Sequence, residues 1–254
     1  MSWSTLYTAG SAMAEFVVLS LPRHRILVRR GYEVHARKMG LTGEEIPAVA
    51  TVGGGRANHP VIELEGGERI VARRYMRGGA LRHLNRERYF VPNRAIEELR
   101  ITAHAAASGV RVPLTIAAVE KQTVLGYTAT LFTRFVPNTR ELASWLTYAN
   151  EIERNRALTA AGEQIARMHA AGIAHPDLNL RNFLVSEADA DRVWIIDFDR
   201  AVLSRASVGS RRRGRDLHRL GRSIRKIGAP VGLSGAEALR DGYGPKWPLR
   251  SLAG

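Results

Sequence analysis

Two short stretches of this chain carry residue types that could do chemistry. The first is His175-Pro176-Asp177-Leu178-Asn179-Leu180-Arg181-Asn182, and the second is Asp197-Phe198-Asp199, which follows the apolar run Val193-Trp194-Ile195-Ile196. Moving a phosphoryl group to a hydroxyl requires one carboxylate beside the attacking oxygen and separate oxygen ligands for a magnesium ion. Asp177 and Asn182, five residues apart on one polar loop, supply the first carboxylate and one ligand. Asp197, twenty residues after Asp177 at the end of a buried strand, supplies the other ligand, and the two strands would hold all three groups in one cleft. Each residue has a blander use: Asp177 could cap a loop, His175 could be a satisfied turn histidine, and Asp197 could sit on the surface. Three independent spacings agree, which favours the joint catalytic assignment. Asp177 is then the base or orienter of the acceptor hydroxyl, and Asn182 and Asp197 are the magnesium ligands. His175 supports the loop rather than carrying a proton. Asp199 is left open, as a further metal contact or a cap for the following segment.

The order of these groups matches the protein-kinase catalytic-loop pattern His-x-Asp-x-x-x-x-Asn followed by an Asp-Phe-x metal motif. Elements must position them. Phe183 to Val185 and Val193 to Ile196 read as short strands, and a helix from about Thr159 to Ala171 ends at Gly172. A helix from about Gly214 to Ile227 is amphipathic, with Leu217, Leu220, Ile224 and Ile227 apolar and Arg215, Arg219, Arg222 and Arg225 off the buried stripe. Asp216 on that helix could anchor the catalytic loop as a structural carboxylate.

Upstream the chain is strand-rich. Ala48 to Val52, Pro60 to Leu64 and Arg69 to Tyr75 read as antiparallel strands, with Gly53-Gly54-Gly55 in the first turn and Gly66-Gly67 in the second. The triple glycine could let bare backbone approach phosphates, and a plain hairpin turn would explain it equally well. A kinase places a Lys on the third strand, but Arg69-Ile70-Val71-Ala72-Arg73-Arg74-Tyr75 has none, so Arg73 or Arg74 must substitute. Glu98, on a helix from about Arg94 to Ala107, is the expected partner, with Glu97 the alternative. Strands at Thr115 to Val119 and Tyr127 to Phe135 follow. Pro137-Asn138 then breaks the pattern and the chain turns helix-rich, beginning with Glu141 to Leu146. The expected fold is α+β and protein-kinase-like: a bilobal arrangement with an antiparallel β-sheet plus one helix in the N-lobe (46–137) and a mainly helical C-lobe (138–254). Residues 1–45 form an N-terminal extension of unknown role.

Composition sets outer limits. The 254 residues are 45% hydrophobic and 24% charged, enough for a folded core and unlike a disordered or collagen-like chain. With no cysteine there is no disulfide framework, thiolate metal site or thiol nucleophile. No apolar run reaches the eighteen or more residues of a membrane span, since Phe16 to Leu21 is cut short by Pro22 and Arg23. That stretch also lacks a basic segment before it, so a cleaved signal peptide is not expected. The formal net charge is +14, and only Lys38, Lys121, Lys226 and Lys246 are lysines among the 38 basic residues. From Arg200 onward there are 13 basic residues against 3 acidic, a net +10. Such a concentration implies an anionic partner or a solvated Arg-rich face, and charge alone does not choose between lipid, glycolipid and nucleic acid.

With these residues placed, the stretch from Gly53 to Lys226 resembles the lipopolysaccharide kinase family, and within it the Kdo-kinase branch, where Kdo is 3-deoxy-D-manno-octulosonic acid. The resemblance rests on Gly54-Gly55-Arg56, on Ala72-Arg73-Arg74-Tyr75-Met76-Arg77-Gly78-Gly79-Ala80-Leu81, and on Glu98 eleven residues before Gly109-Val110-Arg111-Val112-Pro113. It continues through His175 to Asn182, Ile196-Asp197-Phe198-Asp199-Arg200 and Arg219-Leu220-Gly221-Arg222-Ser223-Ile224-Arg225-Lys226. The resemblance implies ATP as donor, Mg2+ as cofactor, and phosphorylation of a sugar hydroxyl, the 4-position of Kdo on lipid A. It implies a cytoplasmic enzyme peripheral to the inner membrane face, a lipid-linked anionic glycolipid as partner, and no nucleic acid. It also assigns Gly53, Gly54, Gly55, Arg73, Arg74 and Glu98 to the nucleotide, and Arg77, Gly78 and Gly79 to the acceptor.

Two other readings compete. A small Rio-like or tRNA-modification-associated protein kinase also tolerates short lobes and basic surfaces. Against it, only seventeen residues separate Asp199 from Asp216, no Ala-Pro-Glu element appears, and Pro176 stands where switch-regulated kinases place Arg. A catalytically dead kinase fold that binds anionic surfaces would explain the charge and the missing Lys. Against that stand Asp177, Asn182 and Asp197 retained together, and a basic run without the interleaved aromatics that stack bases.

Overall fold

The computed structural model describes residues 3–5, 11–53, 58–75, 94–124, 126–228 and 230–248. These divide into two compact units, one made of residues up to 103 with 114–135, the other of 104–113 with residues from 136 onward. The change near Phe135 falls beside the Pro137-Asn138 break.

Apolar alternation builds the first unit. Strands β1 (Trp3–Thr5), β2 (Phe16–Leu21), β3 (His24–Arg29), β4 (Ala50–Val52), β5 (His59–Glu63), β6 (Arg69–Arg74), β7 (Thr115–Thr123) and β8 (Gly126–Arg134) form one antiparallel sheet. Their order is β1-β2-β3-β7-β8-β6-β5-β4. The β5–β6 hairpin closes through Gly66 and Gly67, both at positive φ (84° and 80°), a backbone that glycine adopts without steric cost. Successive side chains point to opposite faces, so each strand feeds two cores. Val17, Leu19, Ile26, Val28, Ile62, Ile70, Ala72 and Phe132 pack with Met39 and Leu41 on one face. Phe16, Leu27, Ala118 and Leu131 pack on the other with Ala95, Ile96 and Leu99 of helix α1 (Arg94–Ala107). The β2–β3 hairpin pairs along β7, with Ile26 opposite Val119, so this stretch of the leading 45 residues is built into the sheet.

The second unit contains β9 (Thr139–Glu141), α2 (Leu142–Tyr148), α3 (Glu151–Ala170), β10 (Ile173–Ala174), β11 (Phe183–Ser186), β12 (Val193–Ile195), β13 (Val202–Leu203), α4 (Ser210–Ile227) and α5 (Gly232–Tyr243). Helix α3 starts eight residues before the expected Thr159. A capping box sets its start: the Asn150 side chain accepts from Glu153 N–H at 2.9 Å, and the Glu153 carboxylate accepts from Asn150 N–H at 3.3 Å. Apolar periodicity is weak over Glu-Ile-Glu-Arg-Asn-Arg, which hid this turn. Helix α5 was not expected, because its glycines argue against an isolated helix.

Packing against α3 explains α5. A Cβ on Gly242 would lie 2.0 Å from the Thr159 carbonyl oxygen, and one on Gly162 would lie 2.2 Å from that of Leu239. The glycines let the two backbones approach, and Leu158, Ala161, Leu239 and Tyr243 are buried. Gly242→Ala is therefore expected to destabilise the protein by about 1–3 kcal/mol, since backbone must move to admit the methyl group. Chemical denaturation checks this, and an unchanged midpoint would show that the helices separate at no cost.

Candidate active site

In the second unit, β10 delivers the chain to His175 and α4 holds the loop that follows. The Asp216 carboxylate, only 2% exposed, accepts the His175 backbone N–H at 2.6 Å and His169 Nε2–H at 3.2 Å. With Nε2 donating, His169 Nδ1 accepts the Tyr243 hydroxyl at 2.8 Å, so α3, α4 and α5 all bear on the loop. Ser223 Oγ accepts Leu180 N–H at 3.2 Å. The anchoring role read for Asp216 in the sequence is what the geometry displays.

Within the loop the backbone folds on itself. The Asp177 carbonyl accepts from Asn179 Nδ2 at 2.8 Å and from Asn182 Nδ2 at 3.1 Å. A carbonyl can only accept, so the Asn182 amide is oriented with Nδ2 toward Asp177, leaving Oδ1 for another partner. Asn182 leads directly into β11, which pairs with β12 through Phe183 and Ile195. Ile196 N–H donates to the Asn182 carbonyl at 2.8 Å, which sets Asp197 beside Asn182. Asp197 adopts φ +66°, left-handed backbone that is uncommon outside glycine but tolerated by Asp, and its side chain is exposed. Two backbone-linked hydrogen bonds thus tie Asp177, Asn182 and the start of Asp197-Phe198-Asp199 together. Asp199 lies in the next turn, closed by Ala201 N–H to the Phe198 carbonyl at 2.9 Å.

His175 is fully buried, and its ring packs against that of Phe198 with centroids 5.5 Å apart. Among the described residues neither ring nitrogen has a hydrogen bond of regular geometry. Burial pushes its pKa below the ordinary histidine value, opposed by the carboxylates of Asp197, Asp216 and Asp177. A neutral ring wedged between the loop and Phe198 fits the supporting role.

Asp177 has a partner that the sequence reading missed. Arg219 donates from Nη2 to Asp177 Oδ1 at 2.8 Å, with the two side chains 33% and 47% exposed. The sequence placed Arg219 merely off the buried stripe of α4. Its position three residues after Asp216, on the same helical face, was the available signal.

The first unit holds the candidate phosphate grip. The Arg73 guanidinium pairs with the Glu98 carboxylate, which is 2% exposed, and the Tyr75 hydroxyl also donates to Glu98. Arg73 stacks over the Tyr75 ring, 4.8 Å from its centroid. Glu120, buried on β7, accepts from Ala95 N–H at 3.1 Å and Ile96 N–H at 3.3 Å, capping α1 and so fixing the height of Glu98. Strand alternation sends Arg74 to the opposite face, where it lines a cavity of about 290 Å³ with Gly40, Leu41 and Phe132. Glu97 is exposed and pairs with Arg100 at 3.1 Å. Gly53 follows β4 at φ +136°. Gly54, Gly55, Arg77, Gly78 and Gly79 lie outside the described residues.

This pairing predicts unequal effects. Arg73→Ala should weaken ATP binding by about 10- to 100-fold, the scale of a lost charge-assisted contact, whereas Arg74→Ala should change it by less than about threefold. Calorimetric titration with ATP measures both. Equal losses would remove Arg73 from the phosphate site.

The donor set fits magnesium. Asn182 Oδ1 and the Asp197 carboxylate are two hard oxygen donors, which suits an ion that usually takes one or two protein ligands with the remainder from phosphates and water. Among the described residues no group of three or more His, Asp or Glu is arranged to hold a metal without such help.

Residues 60–239 match the family model "Lipopolysaccharide kinase (Kdo/WaaP) family". A 3-deoxy-D-manno-octulosonic acid kinase of Xanthomonas oryzae pv. oryzae (strain PXO99A) is 37% identical over 163 residues, 63% of each chain. One from Vibrio parahaemolyticus serotype O3:K6 is 35% identical over 158 residues, 61% of this chain and 63% of the relative. The matched part therefore spans slightly less than two thirds of these relatives' length. Among solved structures, that of WaaP in complex with acyl carrier protein superposes with a TM-score of 0.59 at 18% identity, covering 86% of this chain and 88% of the other. That likeness establishes a protein-kinase-like fold. A loop whose acid and amide stand in the kinase order, an arginine paired with the helix glutamate, and a family match across residues 60–239 meet in one chain: the chain belongs to the lipopolysaccharide kinase (Kdo/WaaP) family.

Proposed function

We propose that this chain is an ATP-dependent kinase that phosphorylates a sugar hydroxyl of the lipopolysaccharide inner core, the 4-position of Kdo on lipid A. The observation that carries the reading is the pair of hydrogen bonds, Asn182 Nδ2 to the Asp177 carbonyl and Ile196 N–H to the Asn182 carbonyl, which gather an acid, an amide and a second acid in kinase order. The names of the relatives supply the acceptor class.

In this mechanism Asp177 orients the acceptor hydroxyl and takes its proton as the phosphoryl group departs from ATP. Arg219, through its hydrogen bond to Oδ1, holds the Asp177 carboxylate in direction. Asn182 and Asp197 would hold Mg2+, which when bound neutralises charge on the transferring phosphates. Arg73, steadied by Glu98, grips phosphate oxygens, as a guanidinium can through two donors. A peripheral site at the cytoplasmic face of the inner membrane suits the basic stretch from Arg200 onward, at about 1 kcal/mol per basic residue near an anionic surface. Among the described residues no helix is long and apolar enough to cross a membrane.

The test incubates purified protein, ATP and magnesium with Kdo-bearing lipid A precursor, with a generic protein acceptor and with a tRNA-complex extract. Phosphate on the precursor alone is expected, with its position read by mass spectrometry and NMR. Phosphate appearing only on protein would defeat the sugar reading.

A further inference from the structure

One face of α4 is unaccounted for by the chemistry above. Arg212, Arg215, Arg219 and Arg222 recur at steps of three, four and three residues, so they share one side of the helix. They line a groove of about 380 Å³ that also takes in Pro176, next to Asp177. Arg219 meets Asp177 there. Arg212, Arg215 and Arg222 are exposed, and among the described residues none of them pairs with a carboxylate. The one acid of α4, Asp216, is buried beneath them and occupied by His169 and the His175 backbone.

Like charges at helical spacing repel, so such a row lowers the stability of the free protein and is relieved when anions bind. We propose that this groove is the subsite for the anionic groups of the acceptor, a sugar headgroup carrying two or more phosphates or carboxylates. At 1.5 Å of rise per residue, Arg222, Arg215 and Arg212 stand roughly 4.5, 6 and 10 Å along the axis from Arg219. The row thus grips several anionic groups of one ligand while its hydroxyl reaches Asp177. Guanidinium forks suit phosphate and carboxylate oxygens. Among the described residues no Trp, Tyr or Phe lines the groove, so they offer no platform for stacking bases. The assignment rests on the kinase reading of Asp177 and adds to it the residues that recognise the acceptor.

The test uses the full chain with Arg212→Gln, Arg215→Gln and Arg222→Gln combined, sparing Arg219. Two acceptors are compared in the same neutral detergent: Kdo-bearing lipid A precursor with its two phosphates, and the same molecule dephosphorylated. The triple variant should raise KM for the phosphorylated acceptor by about tenfold or more, with kcat and the KM for ATP little changed. On the dephosphorylated acceptor, which keeps only the Kdo carboxylate as an anionic group, the rise in KM should be no more than about a third as large, and the corresponding triple Arg→Lys variant should recover most of the loss. Equilibrium binding of the deacylated bisphosphorylated headgroup should fall by a similar factor. An unchanged KM, an equal loss on both acceptors, or a single-stranded RNA held by the same arginines more tightly than the headgroup would overturn the proposal. If wild type transfers phosphate to neither acceptor yet binds the headgroup through these arginines, the kinase reading fails and the ligand class of the groove stands.

Discussion

Asp177→Asn is expected to lower kcat by a factor of about 10² to 10⁴, the range for removing a positioned proton acceptor, while leaving ATP affinity nearly unchanged. The substitution keeps side-chain shape and removes only charge and basicity. The loop should survive, because its internal hydrogen bonds use the Asp177 backbone carbonyl rather than its carboxylate. The carboxylate itself is 47% exposed and, among the described residues, its one hydrogen-bond partner is Arg219, so it is available to an incoming hydroxyl. Steady-state kinetics at saturating ATP, alongside ATP titration, separate the two effects. Turnover equal to wild type would remove Asp177 from its role. A parallel loss of ATP affinity would mean that the substitution had disturbed the nucleotide site instead.

Asp216→Ala is expected to destabilise the protein by about 3–5 kcal/mol, the scale found when one partner of a buried charged cluster is removed. Two donors would lose their acceptor inside the core, the His175 N–H and His169 Nε2–H, and each buried orphan costs about 1–3 kcal/mol. Tyr243 would be affected in turn, since its hydroxyl bond to His169 Nδ1 depends on the tautomer that Asp216 selects. Both bonds to Asp216 end on Oδ2, so Asp216→Asn can keep them with its own carbonyl oxygen and should lose much less. Urea unfolding with an unchanged slope measures the difference. An Asp216→Ala midpoint equal to wild type would show that the loop does not hang from α4.

Much of the second unit could be read from sequence because its signals are local. The spacing of Asp177, Asn182 and Asp197 places them around one hairpin, and the hydrophobic steps of α4 mark its buried side. Gly66-Gly67 determines a hairpin because few other residues adopt that backbone. Where local signals were weak the reading fell short: the first two turns of α3 depend on an Asn-Glu capping box rather than apolar periodicity, and α5 on close contact of two glycine-bearing helices.

By itself the sequence determined the order of chemical groups, the α+β class and the sign of the surface charge, since these depend on residue type and short spacing. Tertiary structure alone decided between Arg73 and Arg74, because the outcome depends on which face of β6 meets α1 and Glu98. It alone joined Arg219 to Asp177 and Asp216 to His175, residues 42 and 41 positions apart. Such pairs carry no local pattern. They exist only once burial of the apolar side of α4 has set that helix at one angle beneath the loop, and that angle is a property of the packed core rather than of any short stretch of chain.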